Sequence, residues 1–86
     1  MPKVESLRIP GLELLFHSDD HLPPHLHVRR PWEWEVRVNL LSLKHEVVWS
    51  GKKNAPSTRQ MNEVLMQVEE KLVDLLIEWE NKVCRH

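Results

Sequence analysis

The sequence predicts an α+β fold: a three- or four-stranded antiparallel sheet with one long C-terminal helix packed on one face. Three observations predict it. Before residue 50, apolar and polar residues alternate in several short runs, the period of half-buried strands. After residue 57, apolar residues recur every three or four positions, the period of an amphipathic helix. Between them, Ser50-Gly51-Lys52-Lys53-Asn54-Ala55-Pro56 is rich in chain-turning residues. One domain is expected, with residues 1–11 as an arm, 12–50 as the sheet and 57–84 as the helix.

Each element has its own signal. Pro10-Gly11 marks a turn out of the arm. Leu12 to His17 reads as a strand, with Leu12, Leu14 and Phe16 on one face and Glu13, Leu15 and His17 on the other. Pro23-Pro24 removes two backbone donors, so residues 18–24 form a loop. His25 to Arg29 alternates again, with His25, His27 and Arg29 on one side and Leu26 and Val28 on the other. Trp34 to Leu40 is the clearest strand, with Trp34, Val36, Val38 and Leu40 opposed to Glu35, Arg37 and Asn39. His45 to Trp49 is the fourth, with Val47 and Trp49 on its apolar side.

The helix starts with Ser57, and Gln60 three residues on fits a capping box. Met61, Val64, Val68, Leu72, Leu75, Leu76, Trp79 and Val83 form its apolar stripe. Glu63, Glu70, Asp74 and Glu78 fall on the polar side. A helix from Arg59 to Val83 would be about 37 Å long, more than strands of this length need. The excess overhangs or packs on a second copy.

Register follows from matching apolar sets across strands, because a one-residue slip turns every side chain over. That rule pairs Leu26 with Val36 and Val28 with Trp34. It sets His27 opposite Glu35 and His25 opposite Arg37. A Leu41-Ser42 turn pairs Trp34 with Trp49, Val36 with Val47 and Arg37 with Glu46. The polar face then gathers Glu13, His25, His27, Glu35, Arg37 and Glu46. His17 joins them if the first two strands are neighbours.

That face is where chemistry is expected. Five of the six histidines lie between His17 and His45. His25 and His27, two apart on a strand, put their rings on one face about 6.5–7 Å apart at the backbone. His17 and His21 are further candidate metal ligands, and Asp19, Asp20 and Glu35 complete the candidate site. Three protein ligands plus water is the arrangement of a catalytic zinc site. A mixed nitrogen and oxygen set also suits iron, manganese or nickel. The same residues fit a hydrogen-bonded, solvated sheet face with no ligand. A cupin metal motif does not fit, because the glutamate after His-x-His falls late and no glycine follows it.

Composition narrows the functions. A net charge of -1 disfavours a nucleic-acid binder that works by overall charge. Glu33 and Glu35 lie among Arg29, Arg30 and Arg37, so ion pairs across the sheet are expected instead. Trp32, in a turn, reads as an exposed contact residue. The one cysteine, Cys84, cannot form an internal disulfide, and the expected compartment is the cytoplasm. The first residues carry no signal-peptide pattern, and no apolar run is long enough to cross a membrane.

The run Asp20-His21-Leu22-Pro23-Pro24-His25-Leu26-His27-Val28 resembles the Asp-His-x-Pro-Pro-His-x-His-Val motif of a family of small bacterial domains of unknown function. Phe16 ahead of the motif and Glu35-Val36-Arg37-Val38 behind it match the family's flanking strands. The resemblance carries to Asp20, His21, Pro23, Pro24, His25, His27 and Val28, and is loose beyond residue 40. It implies no established activity. It implies a compact operon with a small partner protein, as in regulatory or toxin–antitoxin-like pairs. Two functions follow as expectations. One is a non-enzymatic interaction module, with a protein partner from the same operon or as a homodimer. The other is a metal-dependent hydrolase or nuclease built on the histidine cluster.

Overall fold

Strand alternation before residue 50 produces four strands: β1 Glu13–Leu15, β2 His25–Arg30, β3 Trp34–Asn39 and β4 His45–Ser50. In this computed structural model, residues 3–17, 23–51 and 54–83 are described. Each strand pairs antiparallel with the next, in the order β1-β2-β3-β4. The first two strands are therefore neighbours. The arm extends the sheet, because Lys3 bridges to Leu15 and the Val4 amide donates to the Leu14 carbonyl at 3.0 Å.

The β2–β3 register differs from the sequence expectation by two residues. His25 lies opposite Asn39, Leu26 opposite Val38, His27 opposite Arg37 and Val28 opposite Val36. The turn is the cause. The Glu33 amide donates to the Arg30 carbonyl at 2.9 Å, so Pro31 takes the second turn position, where its fixed φ suits. Arg30 and Trp34 then close the hairpin. A shift by two leaves every side chain on its expected face. The turn puts Trp32 at φ 70, in the left-handed region that bulky residues rarely adopt, and leaves it 93% exposed.

The β3–β4 register follows expectation at first, with Val36 opposite Val47 and Arg37 opposite Glu46. It then shifts between Glu35 and Val36. Val48 is the extra residue of this bulge, so Trp49 lies opposite Glu35 and Ser50 opposite Trp34. The expected Trp34–Trp49 pair on the apolar face does not form. Trp49 joins the polar face instead. All six residues of β4 are exposed, Val47, Val48 and Trp49 among them.

The expected single helix is two segments, α1 Thr58–Glu70 and α2 Leu72–Lys82. The break is at Lys71, at φ -106 and ψ 17. Its amide is shared between the carbonyls of Gln67 and Val68, both at 3.2 Å, so the last turn of α1 tightens. The Leu75 amide then donates to the Lys71 carbonyl at 2.9 Å and restarts the ladder. Ser57 caps α1 as expected, its hydroxyl oxygen accepting from the Gln60 amide at 3.1 Å. Cys84 lies outside the described residues.

The core joins both layers. Leu14, Phe16, Leu26, Val28, Trp34, Val36, Val38 and Leu40 from the sheet side cluster with Met61, Val64 and Val68 of α1 and Leu75 and Trp79 of α2. Val4 and Leu7 of the arm are buried in the same cluster. Burying a Leu or Val side chain contributes about 1.5–3 kcal/mol, so the arm is a structural part of the core.

Glu78 fastens that arm. The sequence puts it on the polar side of the helix, yet it is buried. Its carboxylate accepts from the amides of Glu5 at 2.7 Å and Ser6 at 2.8 Å, and from Lys82 Nζ at 2.7 Å. Burial works against its charge, but these donors outweigh it and hold the group down at about 2.

Candidate functional site

The polar face of the sheet carries cross-strand rows. One runs Glu13, Arg29, Glu35, Trp49, and the next Leu15, His27, Arg37, Glu46. Ion pairs lace it. Arg29 donates to Glu13 Oε2 at 2.6 Å, and this bond raises the guanidinium's pKa against the opposing effect of burial. Arg37 pairs with Glu46, and Arg30 with Glu33 at the hairpin end. The arginines expected to be ion-paired are so paired, though with partners set by the observed register.

Within this face lies a buried histidine–carboxylate group. His27 is 5% exposed and Glu35 8%. They sit diagonally across β2 and β3, with His27 Nδ1 3.4 Å from Glu35 Oε2. His17, just beyond β1, stacks its ring on His27 with centroids 3.7 Å apart and planes 28° apart. One donor atom from each of His17, His27 and Glu35 lies within 4.8 Å of the others. His17 Nε2 is buried and has no hydrogen-bond partner among the described residues. A buried ring nitrogen without a partner costs free energy of about 1–3 kcal/mol.

Strand geometry explains the convergence. β1 and β2 run antiparallel with Leu15 opposite His27, so the residue two beyond Leu15 falls on the same face one step along. His25 shares this face, but it stands further along β2 and is not one of the three convergent ligands. Its neighbours lining the next hollow are Arg37, Asn39, Ser42 and Lys44. Asp19, Asp20 and His21 lie outside the described residues. So, of the candidate residues, the structure brings together His17, His27 and Glu35.

Two imidazoles and a carboxylate suit a borderline divalent ion. Tetrahedral ligands at 2.0–2.1 Å from zinc stand about 3.4 Å apart. The His27–Glu35 distance already matches. All three donor atoms lie within 4.8 Å of one another, so a small closing movement of the side chains would bring them to that spacing.

Fold and site together define a small α+β domain with a largely buried two-histidine, one-carboxylate group, His17 being half-buried, on the sheet face away from the helices. The chain belongs to the family described as Domain of unknown function (DUF4160), whose profile matches residues 11–80. No curated protein and no solved structure matches it. Among the described residues, no helix is long and apolar enough to cross a membrane.

Proposed function

We propose that this domain binds a divalent transition-metal ion through His17, His27 and Glu35 and uses it for hydrolysis. The observation that carries the reading is that one donor atom from each of His17, His27 and Glu35 lies within 4.8 Å of the others, while His17 Nε2 is buried with no hydrogen-bond partner among the described residues. An ion would take up that nitrogen. Held by three protein ligands, such an ion would keep a position for water and would supply hydroxide near neutral pH. Water supplied in this way would serve ester hydrolysis, its hydroxyl ending on the ester centre and its proton on the leaving oxygen. Zinc suits the donor set best, with iron, manganese or nickel as alternatives.

Metal content of untagged protein, purified without chelator, tests this. Near-stoichiometric metal is expected in the native chain and in His25→Ala. His17→Ala and His27→Ala are expected to lose it while keeping their circular dichroism. Metal-free native protein, or metal retained in both variants, would sink the reading.

A second reading is a non-enzymatic interaction module, in a regulatory or toxin–antitoxin-like pair or as a homodimer. The exposure of Val47, Val48 and Trp49 along β4 favours it. Trp32, exposed at the hairpin tip next to Pro31, adds apolar surface on the side of Trp49.

A further inference from the structure

Beside the histidine group, the same sheet face holds a second concavity. It is an open cleft of about 230 Å³ whose lining includes His25, Arg37, Asn39, Ser42, Lys44 and Glu46. It lies one step along the strands from His27. Arg37 is the cross-strand partner of His27, and Asn39 that of His25. Residues two apart on a strand are about 6.5–7 Å apart, so a molecule of modest size in the cleft reaches the His17–His27–Glu35 group.

The lining is built from donors. Arg37 offers a planar fork of N–H groups and Lys44 an ammonium. The Asn39 side-chain oxygen Oδ1 is already used, accepting from the amides of Leu41 at 2.8 Å and Ser42 at 3.1 Å. This closes the β3–β4 turn and fixes Ser42 and Lys44 at the rim. Ser42 Oγ accepts from the Lys44 amide at 3.3 Å, so its hydroxyl proton is available to donate. Glu46 is the one acid of the lining, and it is paired with Arg37. Those side chains are 59% and 40% exposed, and such a pair contributes only about 0–1 kcal/mol. A dianion can therefore displace Glu46 at little cost.

We infer that this cleft binds the phosphate group of a phosphoester, held by Arg37, Lys44 and Ser42. Its role as a substrate pocket rests on the proposed metal site, but the binding itself does not. Arg and Lys together fit phosphate, the first by bidentate hydrogen bonds and the second as a point charge.

Calorimetric titration of the full chain, with and without chelator, tests the inference. The probes are inorganic phosphate, phenyl phosphate as a monoester and methyl phenyl phosphate as a diester, which separates free phosphate from its esters. Saturable binding of at least one ester is expected. Arg37→Gln/Lys44→Ala should weaken it at least about tenfold, because both charged donors to the phosphate are lost. Arg59→Gln, an exposed charge on α1 outside the cleft, should leave it within about twofold of native. Lys44→Ala alone, at an exposed turn position, serves if the double variant does not fold, and should weaken binding measurably. No saturable binding by any probe would overturn the inference. So would loss in His17→Ala with the cleft variants unchanged, which would assign the phosphate to the ion. Metal content of the same samples reports separately on the ion site. Metal-free protein that still binds phosphate would remove the hydrolytic reading and leave the cleft.

Discussion

Glu78 shows how one residue couples distant parts of the chain. Its carboxylate satisfies two arm amides more than seventy residues away. Its pKa falls from an ordinary 4.5 to about 2. Above pH 4.5 the carboxylate is charged in both folded and unfolded chains, and its full contribution, about 3 kcal/mol, is present. As pH falls from 4.5 toward 2, the unfolded chain takes up the proton first and the contribution is lost. Glu78→Gln should cost about 1–3 kcal/mol at pH 7 and flatten the acid limb of stability. Denaturant unfolding of both proteins at pH 7 and pH 3 measures this, and identical pH profiles would refute it. A helical wheel puts Glu78 among Glu63, Glu70 and Asp74, because the wheel cannot see an arm folding over it. The histidine group was more legible. Period-2 alternation alone puts His17, His27 and Glu35 on one face, since alternation survives a register error of two. Which histidines converge was not legible, because that depends on the Pro31 turn and on where β1 ends.

At the scale of elements, β2, β3 and β4 match their expected bounds to within one residue, whereas β1 is half its expected length and the irregularities are not foreseen. Nothing in His45-Glu46-Val47-Val48-Trp49 distinguishes a bulge from a plain strand. Likewise no proline or glycine marks the break at Lys71, and the apolar stripe runs through it from Met61 to Trp79. The bulge has a consequence for assembly. β4 is the last strand of the sheet, and it exposes Val47 at 48%, Val48 at 50% and Trp49 at 41%. An open, apolar edge is a template for a further strand. The simplest partner is a second β4, antiparallel across a twofold axis, which brings the same apolar residues together from both copies. If the second functional reading holds in its homodimer form, light scattering should find a dimer at micromolar concentration. Val48→Lys should then return it to a monomer without loss of fold, by placing a charge on the pairing edge. A native chain that stays monomeric up to hundreds of micromolar would exclude this form of assembly.

At the scale of the molecule, the arm decides how much of the chain the fold requires. The radius of gyration is 12.2 Å, close to the roughly 12 Å of a compact chain of this length with its arm packed in. The family profile begins at residue 11, yet Val4 and Leu7 are buried in the main cluster. Removing residues 1–9 would expose the surface those two side chains cover, at about 1.5–3 kcal/mol each. It would also leave Glu78 with Lys82 as its one remaining partner among those described. A domain of this size has roughly 4–13 kcal/mol of stability in total. The truncated chain should therefore lose at least about 3 kcal/mol in denaturant unfolding, enough to leave a partly unfolded population at 37 °C. A loss below about 1 kcal/mol would mean that the sheet and helices hold the core without the arm. The same truncation separates stability from site, because His17, His27 and Glu35 all lie outside the removed segment. Metal uptake should persist in whatever fraction of the shortened chain remains folded.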